Sequence, residues 1–227
     1  STPSNFKTME TYKLYEKLML KLDATGSQNI AVDKSRAVIS LNEAQNRMVE
    51  FFLSTKQDDN LRYIQKLLKS QEIERTSEEK LTNNFSLPDD YFDFSSIVGY
   101  GSTEKCKGKK FHLYEIKNQN KDEILNDEFN KPSFLYRESP YYISEDSVKI
   151  FVDDFKMDKV ILDYYRYPVQ LRLIDEDNPE SDFDEGFQIE FDDKLIDRIV
   201  SETVFLIQVN NKESEFQVNS QISKTKI

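Results

Sequence analysis

Residues 159–174 constrain the fold more than any other stretch, because β-branched and aromatic residues dominate them. Side chains on an extended strand alternate between its two faces, and here both faces receive bulky residues. Val160, Leu162 and Tyr164 share one face, and Ile161 and Tyr165 share the other. We therefore expect a strand that is covered on both sides. Pro168 lacks an amide donor, which predicts a kink there and a second strand over 169–173.

A helical hairpin is predicted before this strand. Ser40 and Glu43 have the spacing of a capping box, and apolar residues then recur at helical intervals as far as Leu53. After a polar break at 56–60, where Asp58 or Asp59 can act as an N-cap, a shorter apolar stripe predicts a second helix over 61–68. The two helices are expected to pack on each other.

Two further amphipathic helices are predicted near the ends of the sequence. Thr8 is a candidate N-cap for a helix that ends near Asp23, and this helix packs on its own domain or serves as an arm that docks on a neighbour. Asp192 is a candidate N-cap for the last helix, where 195–207 carry a broad apolar face. That face needs a partner, and the helical hairpin is the simplest one.

The middle of the chain is predicted to form short strands that are joined by turns. Strands are expected near 92–98, 110–117, 141–143 and 148–152, with a turn at 87–91 (Leu-Pro-Asp-Asp-Tyr) and a short helix near 122–129. Sequential strands with short turns favour a mostly antiparallel sheet. The charged segment 72–84 is interpreted as a linker ahead of this sheet.

These elements predict an α+β fold in which the N-terminal hairpin and the C-terminal helix pack together, with a mostly antiparallel β domain between them. The expected organisation has four parts. These are a helical region with an N-terminal arm (1–76), the β domain (77–190), the C-terminal helix packing on the helical region (191–209), and an extended or disordered tail (210–227).

Composition limits the function. The formal net charge is -11, so the surface repels phosphate and tight nucleic-acid binding is not expected. The single cysteine excludes an internal disulfide and fits a reducing compartment. No apolar run approaches the ~20 residues that span a bilayer, and the first residues lack a secretory signal pattern, so we expect folding in the cytoplasm and no membrane association.

Known chemical motifs fail when their spacing is checked. The Gly- and Lys-rich segment 99–110 departs from the phosphate-loop pattern, and Pro179 and Glu180 occupy positions at which a calcium loop needs Asp or Asn and then Gly. His112 and Cys106 are single residues of their type, which leaves no catalytic triad and no zinc pattern. We therefore predict no enzyme and assign no catalytic, cofactor-binding or metal-binding residue.

A family resemblance rests on three stretches. The segment Ile-Leu-Asp-Tyr-Tyr-Arg-Tyr-Pro at 161–168 follows a run of hydrophobic strands, a helix rich in Ile and Val follows at 195–207, and Leu-Pro-Asp-Asp-Tyr precedes the strands at 87–91. This pattern resembles structural proteins of crAss-like tailed phages that infect gut Bacteroidota, and within them it looks most like the ring or adaptor proteins of the head-to-tail connector. The resemblance spans roughly 38–208.

The resemblance implies a virion structural protein, made in the cytoplasm of the host bacterium, that forms a homo-oligomeric ring of twelve copies. Such a ring lies beneath the portal protein, extends the channel and contacts the tail or other ring proteins, while packaged DNA passes without specific binding. Its terminal arms, 1–7 and 210–227, are expected to order on neighbours. Two other interpretations stay open: a soluble protein-binding module or assembly regulator that acts as a monomer or dimer, and an enzyme with an acidic metal site.

Overall fold

The chain forms two compact units. A computed structural model describes residues 9–26, 32–55 and 61–224, and from residue 212 onward it describes the backbone alone. One unit, Leu67–Tyr167, contains the β-sheet, and the other combines Ser1–Lys66 with Pro168–Ile227. The predicted α+β class with a mostly antiparallel sheet is confirmed, and the sheet is an insertion within the helical unit. Its boundaries lie near 67 and 167, whereas the sequence suggested 77 and 190.

Over the residues that the structure describes, the helical unit has three long helices and a short 3-10 helix. They are α1 (Thr11–Ala24), α2 (Lys34–Thr55), a 3-10 helix at Arg62–Leu67, and α4 (Asp193–Lys224). The C-terminal helix α4 packs against both α1 and α2, as its apolar face predicts. Asp192 caps α4 as expected, since its carboxylate accepts a hydrogen bond from the Leu195 amide at 2.9 Å.

Three sequence-based predictions in the helical unit differ from the structure. Helix α2 begins at Lys34, where the Asp33 carboxylate accepts a hydrogen bond from the Arg36 amide, so Ser40 is a buried mid-helix residue and no cap. In place of the second hairpin helix, the described residues form a 3-10 helix at Arg62–Leu67, which is followed directly by a strand. The tail over 210–227, predicted to be extended or disordered, is helical as far as Lys224, where α4 ends. The proposed caps Thr8, Asp58 and Asp59 lie outside the described residues.

The β unit is an eight-stranded sheet in the order β1-β8-β4-β5-β6-β7-β3-β2. Only the pair β5–β6 is parallel. A short 3-10 helix (Asn118–Asn120) and α3 (Lys121–Asn126) lie between β5 and β6, as the sequence predicts for a helix there. The strands are β1 (Leu68–Ile73), β2 (Arg75–Glu78), β3 (Thr82–Ser86), β4 (Tyr91–Ser102), β5 (Lys109–Glu115), β6 (Glu138–Ile143), β7 (Ser147–Phe151) and β8 (Lys156–Arg166).

The sheet closes on itself at a single residue. Strands β1 and β2 stand at opposite ends of the strand order, yet only Glu74 separates them in the chain. Adjacent Cα atoms are about 3.8 Å apart, so the two edges of the sheet meet here. Side chains reinforce the closure: Arg75 on β2 donates to the Met157 carbonyl on β8, and Asn83 on β3 accepts from the Met157 amide. The predicted linker 72–84 is therefore wrong, because these residues form the seam of the sheet.

Apolar side chains fill the interior of the closed sheet. Phe111 stacks on Phe155 with ring centroids 4.7 Å apart, and both belong to one continuous buried cluster. Gly101 allows the strands to approach, since a Cβ atom there would lie 2.9 Å from the Lys156 carbonyl oxygen and 2.9 Å from the Phe111 ring. An eight-stranded closed sheet leaves an interior just wide enough for such side chains.

The strand predicted in the stretch 159–174 is present as β8, but it differs from the prediction in two respects. Met157, Val160, Leu162 and Tyr164 face the interior and are buried. The opposite face is only partly covered, because Ile161 and Asp163 keep intermediate exposure. The predicted second strand over 169–173 is absent: these residues belong to the helical unit, and only Leu173 forms an isolated bridge, with Phe183.

Candidate interaction surface

The connection between α3 and β6 presents large apolar side chains to solvent. We call residues 127–137 the apolar loop. Phe129 is 93% exposed, Leu135 80% and Tyr136 75%. This exposure is unfavourable, because transfer of an apolar side chain out of water lowers the free energy. All three line one shallow depression of about 240 Å³. Contiguous exposed apolar groups of this kind mark interaction surfaces more often than scattered ones do.

Hydrogen bonds within the apolar loop fix its backbone. The Asp127 carboxylate accepts bonds from the Phe129 amide and the Asn130 side chain, and both bonds lower the pKa of Asp127. At the other end of the loop, Ser133 and Glu138 exchange two backbone bonds of 2.9 and 3.2 Å. The exposed side chains therefore project from a framework that is already ordered.

The apolar loop is also anchored in the core of the β unit. The Phe134 ring lies 5.8 Å from that of Phe111 and 6.0 Å from that of Phe155, between centroids. Tyr114 on β5 donates its hydroxyl proton to the Asn130 carbonyl. Arg137 adopts a positive φ of 56°, which turns the chain from the loop into β6. One loop thus holds a partly buried aromatic ring, packed against the core, next to three exposed apolar residues.

A concave apolar surface lies in the helical unit, separate from the apolar loop. We call it the α2 groove, a cleft of about 340 Å³ between one side of α2 and the segment 170–176. Ile39 in the groove is 64% exposed, and Ile174, which follows the lining residue Leu173, is 71% exposed. The lining residues are Ser35, Val38, Ile39, Asn42, Gln170, Leu171, Arg172, Leu173 and Glu176.

One asparagine holds the two walls of the α2 groove together. The Asn42 side chain donates to the Leu171 carbonyl at 2.9 Å and accepts from the Leu171 amide at 2.8 Å. This is the pair of bonds that a neighbouring strand would supply, so the segment stays extended without a strand beside it. The Arg172 guanidinium covers the Phe187 ring at 4.7 Å, which directs a positive charge to the surface near the groove.

An acidic groove of about 680 Å³ crosses the seam of the β unit. Six carboxylate residues line it, with only Lys80 and Lys156 as cations. Glu78 is paired with Lys156 at 2.5 Å, and this hydrogen bond lowers the pKa of Glu78. Asp153 and Asp154 are exposed, as the sequence predicts for a turn. The lining carboxylates are Glu78, Glu79, Glu104, Asp153, Asp154 and Asp158.

The acidic residues Asp89 and Asp90 differ in exposure, because Asp89 is exposed and Asp90 is partly buried. The Asp90 carboxylate accepts bonds from the Lys69 ammonium and the Tyr164 hydroxyl, each 2.6 Å long. Partial burial raises the pKa of Asp90, but these two bonds outweigh it, so the pKa lies below its usual value. Within the Leu-Pro-Asp-Asp-Tyr turn, Asp90 thus links β1 to β8 and has a structural role.

The single histidine and the single cysteine lie on different elements of the β unit. His112 is an exposed residue of β5, and Cys106 lies in the β4–β5 turn, where its amide bonds to the Thr103 hydroxyl. Segment 175–186 forms local turns in which Asp175 and Asn178 accept amide bonds two residues on. Across the ranges that the structure describes, no three His, Cys, Asp or Glu side chains are grouped so that they could hold a metal ion.

Comparisons with known proteins do not place the chain in a family. No protein-family model matches it, and no curated protein has a significantly similar sequence. Among the described helices, none is both long and apolar enough to cross a membrane. The surfaces above, which sequence reasoning did not identify, are therefore the basis for a functional proposal. Their one signal in the sequence is a set of large apolar residues between the turn-forming residues of 127–137.

Proposed function

We propose that this protein is a virion structural protein, one subunit of an oligomeric ring in the head-to-tail connector of a crAss-like tailed phage. The observation that carries the proposal is the apolar loop, where Phe129, Leu135 and Tyr136 are exposed on an ordered framework. A loop that is ordered in advance loses little conformational entropy on binding, so its apolar area contributes more fully to affinity. The resemblance of 38–208 to connector proteins supplies the identity of the assembly.

The charge of the chain supports a channel-forming role. At a net charge of -11, with the acidic groove on the β unit, the protein repels a polyanion at long range. A ring through which DNA slides benefits from a wall that does not bind phosphate. The portal protein and tail or other ring proteins are the neighbours in this proposal, and α4, which extends as a helix to Lys224, supplies a terminal element for contacting them.

Light scattering of the purified full chain, alone and mixed with portal-containing particles, tests the proposal. Rings, or decoration of the portal vertex seen by electron microscopy, are the expected result. Removal of residues 210–227 should lower the yield of assembled particles and leave the rest of the fold intact, as circular dichroism would report. A monomer or dimer that ignores the particles would contradict the proposal and favour a protein-binding module or assembly regulator.

A further inference from the structure

Exposed carboxylates surround the apolar loop. The depression at the loop is lined by four acidic residues and by a single base, Lys131. All four acidic side chains are exposed, and none forms an ion pair with a side chain that the structure describes. We call these four residues the acidic rim: Glu128, Glu138, Asp153 and Asp154. Apolar side chains and uncompensated negative charge thus occupy one surface of the β unit.

The acidic rim continues into the acidic groove at the seam. Asp153 and Asp154 line both the depression at the loop and the groove, so the two form one surface. Asn83, which is 1% exposed, also lines the groove. Its Oδ1 accepts a bond from the Met157 amide, and its Nδ2 has no hydrogen-bond partner among the described residues. Buried donors are almost always paired. This donor is therefore suited to a backbone carbonyl that a bound polypeptide segment supplies.

Aromatic rings beside carboxylates favour a cationic partner. The faces of Phe129 and Tyr136 attract an ammonium or guanidinium group, and the acidic rim attracts the same group at longer range. The apolar stems of Lys and Arg side chains can also cover apolar surface. A phosphate-bearing or acidic partner would be repelled by the rim. An uncharged apolar partner would bury Leu135 but would leave the four carboxylates without opposite charge.

We propose that the apolar loop and the acidic rim bind a basic segment of a neighbouring protein, in which Lys or Arg side chains flank a large apolar residue. The inference rests on the proposed role of the loop as an assembly contact, and it names the chemistry of the neighbour. The apolar residue of the segment packs on Leu135, and its cations lie beside the rings of Phe129 and Tyr136 and the rim carboxylates. Complementary charge steers the encounter and disfavours partners of the wrong sign.

Binding of a short basic peptide tests the inference. The probe is a fluorescent peptide, Gly-Ser-Lys-Leu-Lys-Phe-Lys-Ser-Gly, and the full chain is diluted until light scattering reports a monomer. We expect fluorescence anisotropy to show binding that weakens as salt is added. Matched peptides with Glu in place of Lys, or with Ser in place of Leu and Phe, should bind about tenfold more weakly or worse. Absence of binding by the basic peptide, or equal binding by all three, would overturn the inference.

A pair of charge variants separates the acidic rim from general attraction to an acidic protein. Asp153→Asn combined with Asp154→Asn should weaken binding of the basic peptide several-fold and reduce its salt dependence, because two rim charges are lost. Glu145→Gln combined with Asp146→Asn is the matched control. This exposed acidic pair lies in the turn between β6 and β7, outside the depression and the acidic groove. Equal weakening by both double variants would contradict the inference.

The apolar part of the contact has its own variant. Leu135→Ser should weaken binding of the basic peptide by about tenfold, as truncation of a central interface residue does. Leu20→Ser, at a residue of α1 that is 70% exposed, is the control and should leave binding unchanged. Circular dichroism checks that both variants fold. Unchanged binding by Leu135→Ser, or an equal loss in Leu20→Ser, would contradict the role of the loop.

Failure of this inference and failure of the ring proposal give different results. A chain that binds the basic peptide but stays monomeric with portal-containing particles contradicts the ring alone. A chain that assembles on the particles but does not bind the peptide contradicts the basic partner alone. Where both hold, an excess of the basic peptide should lower decoration of the portal vertex, and the Glu-containing peptide should not.

Discussion

The two units of this protein satisfy their backbone hydrogen bonds by different means. In the β unit, every strand has at least one hydrogen-bonded neighbour, and the edge strands β1 and β2 meet at Glu74. In the helical unit, segment 168–192 has no strand longer than an isolated bridge, and side chains such as Asn42 and Glu190 accept its amide protons instead. We therefore expect substitutions to destabilise the β unit most where its strands approach closely. In the helical unit, we expect the loss of individual side chains to have the largest effects.

The largest expected effect is a cavity in the helical unit. Phe52 is fully buried on α2 and stacks on Tyr63 with centroids 5.6 Å apart. Phe52→Ala should lower the free energy of unfolding by about 3–5 kcal/mol, because it removes both the buried ring and its contacts. Urea denaturation measures this change. Phe51→Ala, at the neighbouring exposed ring, is the control, and a loss as large as that of Phe52→Ala would refute the assignment of the buried face.

A smaller effect is expected at the closest approach of strands in the β unit. Gly101→Ala places a methyl group about 2.9 Å from the Lys156 carbonyl oxygen, which cannot move without distorting β8. The cost should be about 1–3 kcal/mol in denaturant unfolding. Ser95→Ala, at an exposed position on the same strand, should change stability by less than about 0.5 kcal/mol. Similar values for both variants would show that the strands are not tightly packed at Gly101.

Asn42 tests the dependence of the helical unit on single side chains. Asn42→Ala leaves the Leu171 amide and carbonyl without their partner and should cost about 1–2 kcal/mol. Amide hydrogen exchange at Leu171 should become faster in this variant. Asn42→Asp keeps an acceptor for the amide and loses the donor, so it should be intermediate in stability. Unchanged exchange at Leu171 in Asn42→Ala would contradict the proposed clamp.

Alkaline pH should weaken the β unit gradually. Burial raises the pKa of Tyr91 to about 12 and raises that of Tyr141 as well, so the folded state binds these protons more tightly than the unfolded chain, whose tyrosines titrate near about 10. The associated stability is complete below pH ~10 and is lost as the pH rises through the folded-state values. Denaturant unfolding at several alkaline pH values measures the loss. Tyr141→Phe should reduce it, and an unchanged pH dependence in that variant would contradict the assignment.

Parts of this fold follow from the sequence because their patterns are strong. Strand β8 alternates apolar residues, and α4 has a broad apolar face behind the Asp192 cap, so both were predictable. Strands β1 and β2 were not, because eight of their ten positions are polar or charged and all their side chains except that of Ile73 are exposed. Backbone pairing with β8 and β3 decides their place in the sheet. Their sequences therefore show no alternation of apolar residues from which a strand could be predicted.

The candidate surfaces were less predictable than the fold. Exposure of Phe129, Leu135 and Tyr136 depends on Phe134 packing against the core next to Phe111, and no local pattern says which of these four apolar residues packs there. The α2 groove depends on Asn42 bonding to Leu171, which is 129 residues away in the chain. A contact between side chains this far apart in the chain leaves no periodic pattern in the sequence.

The most direct test of the ring proposal is the mass of the full chain by light scattering, compared with that of a Phe129→Ser, Leu135→Ser double variant. We predict a large oligomer for the unmodified protein, alone or on portal-containing particles, and a shift toward monomer for the variant with its fold unchanged by circular dichroism. An unmodified protein that stays monomeric under both conditions, or a variant that assembles equally well, would contradict the role of the apolar loop in building a ring.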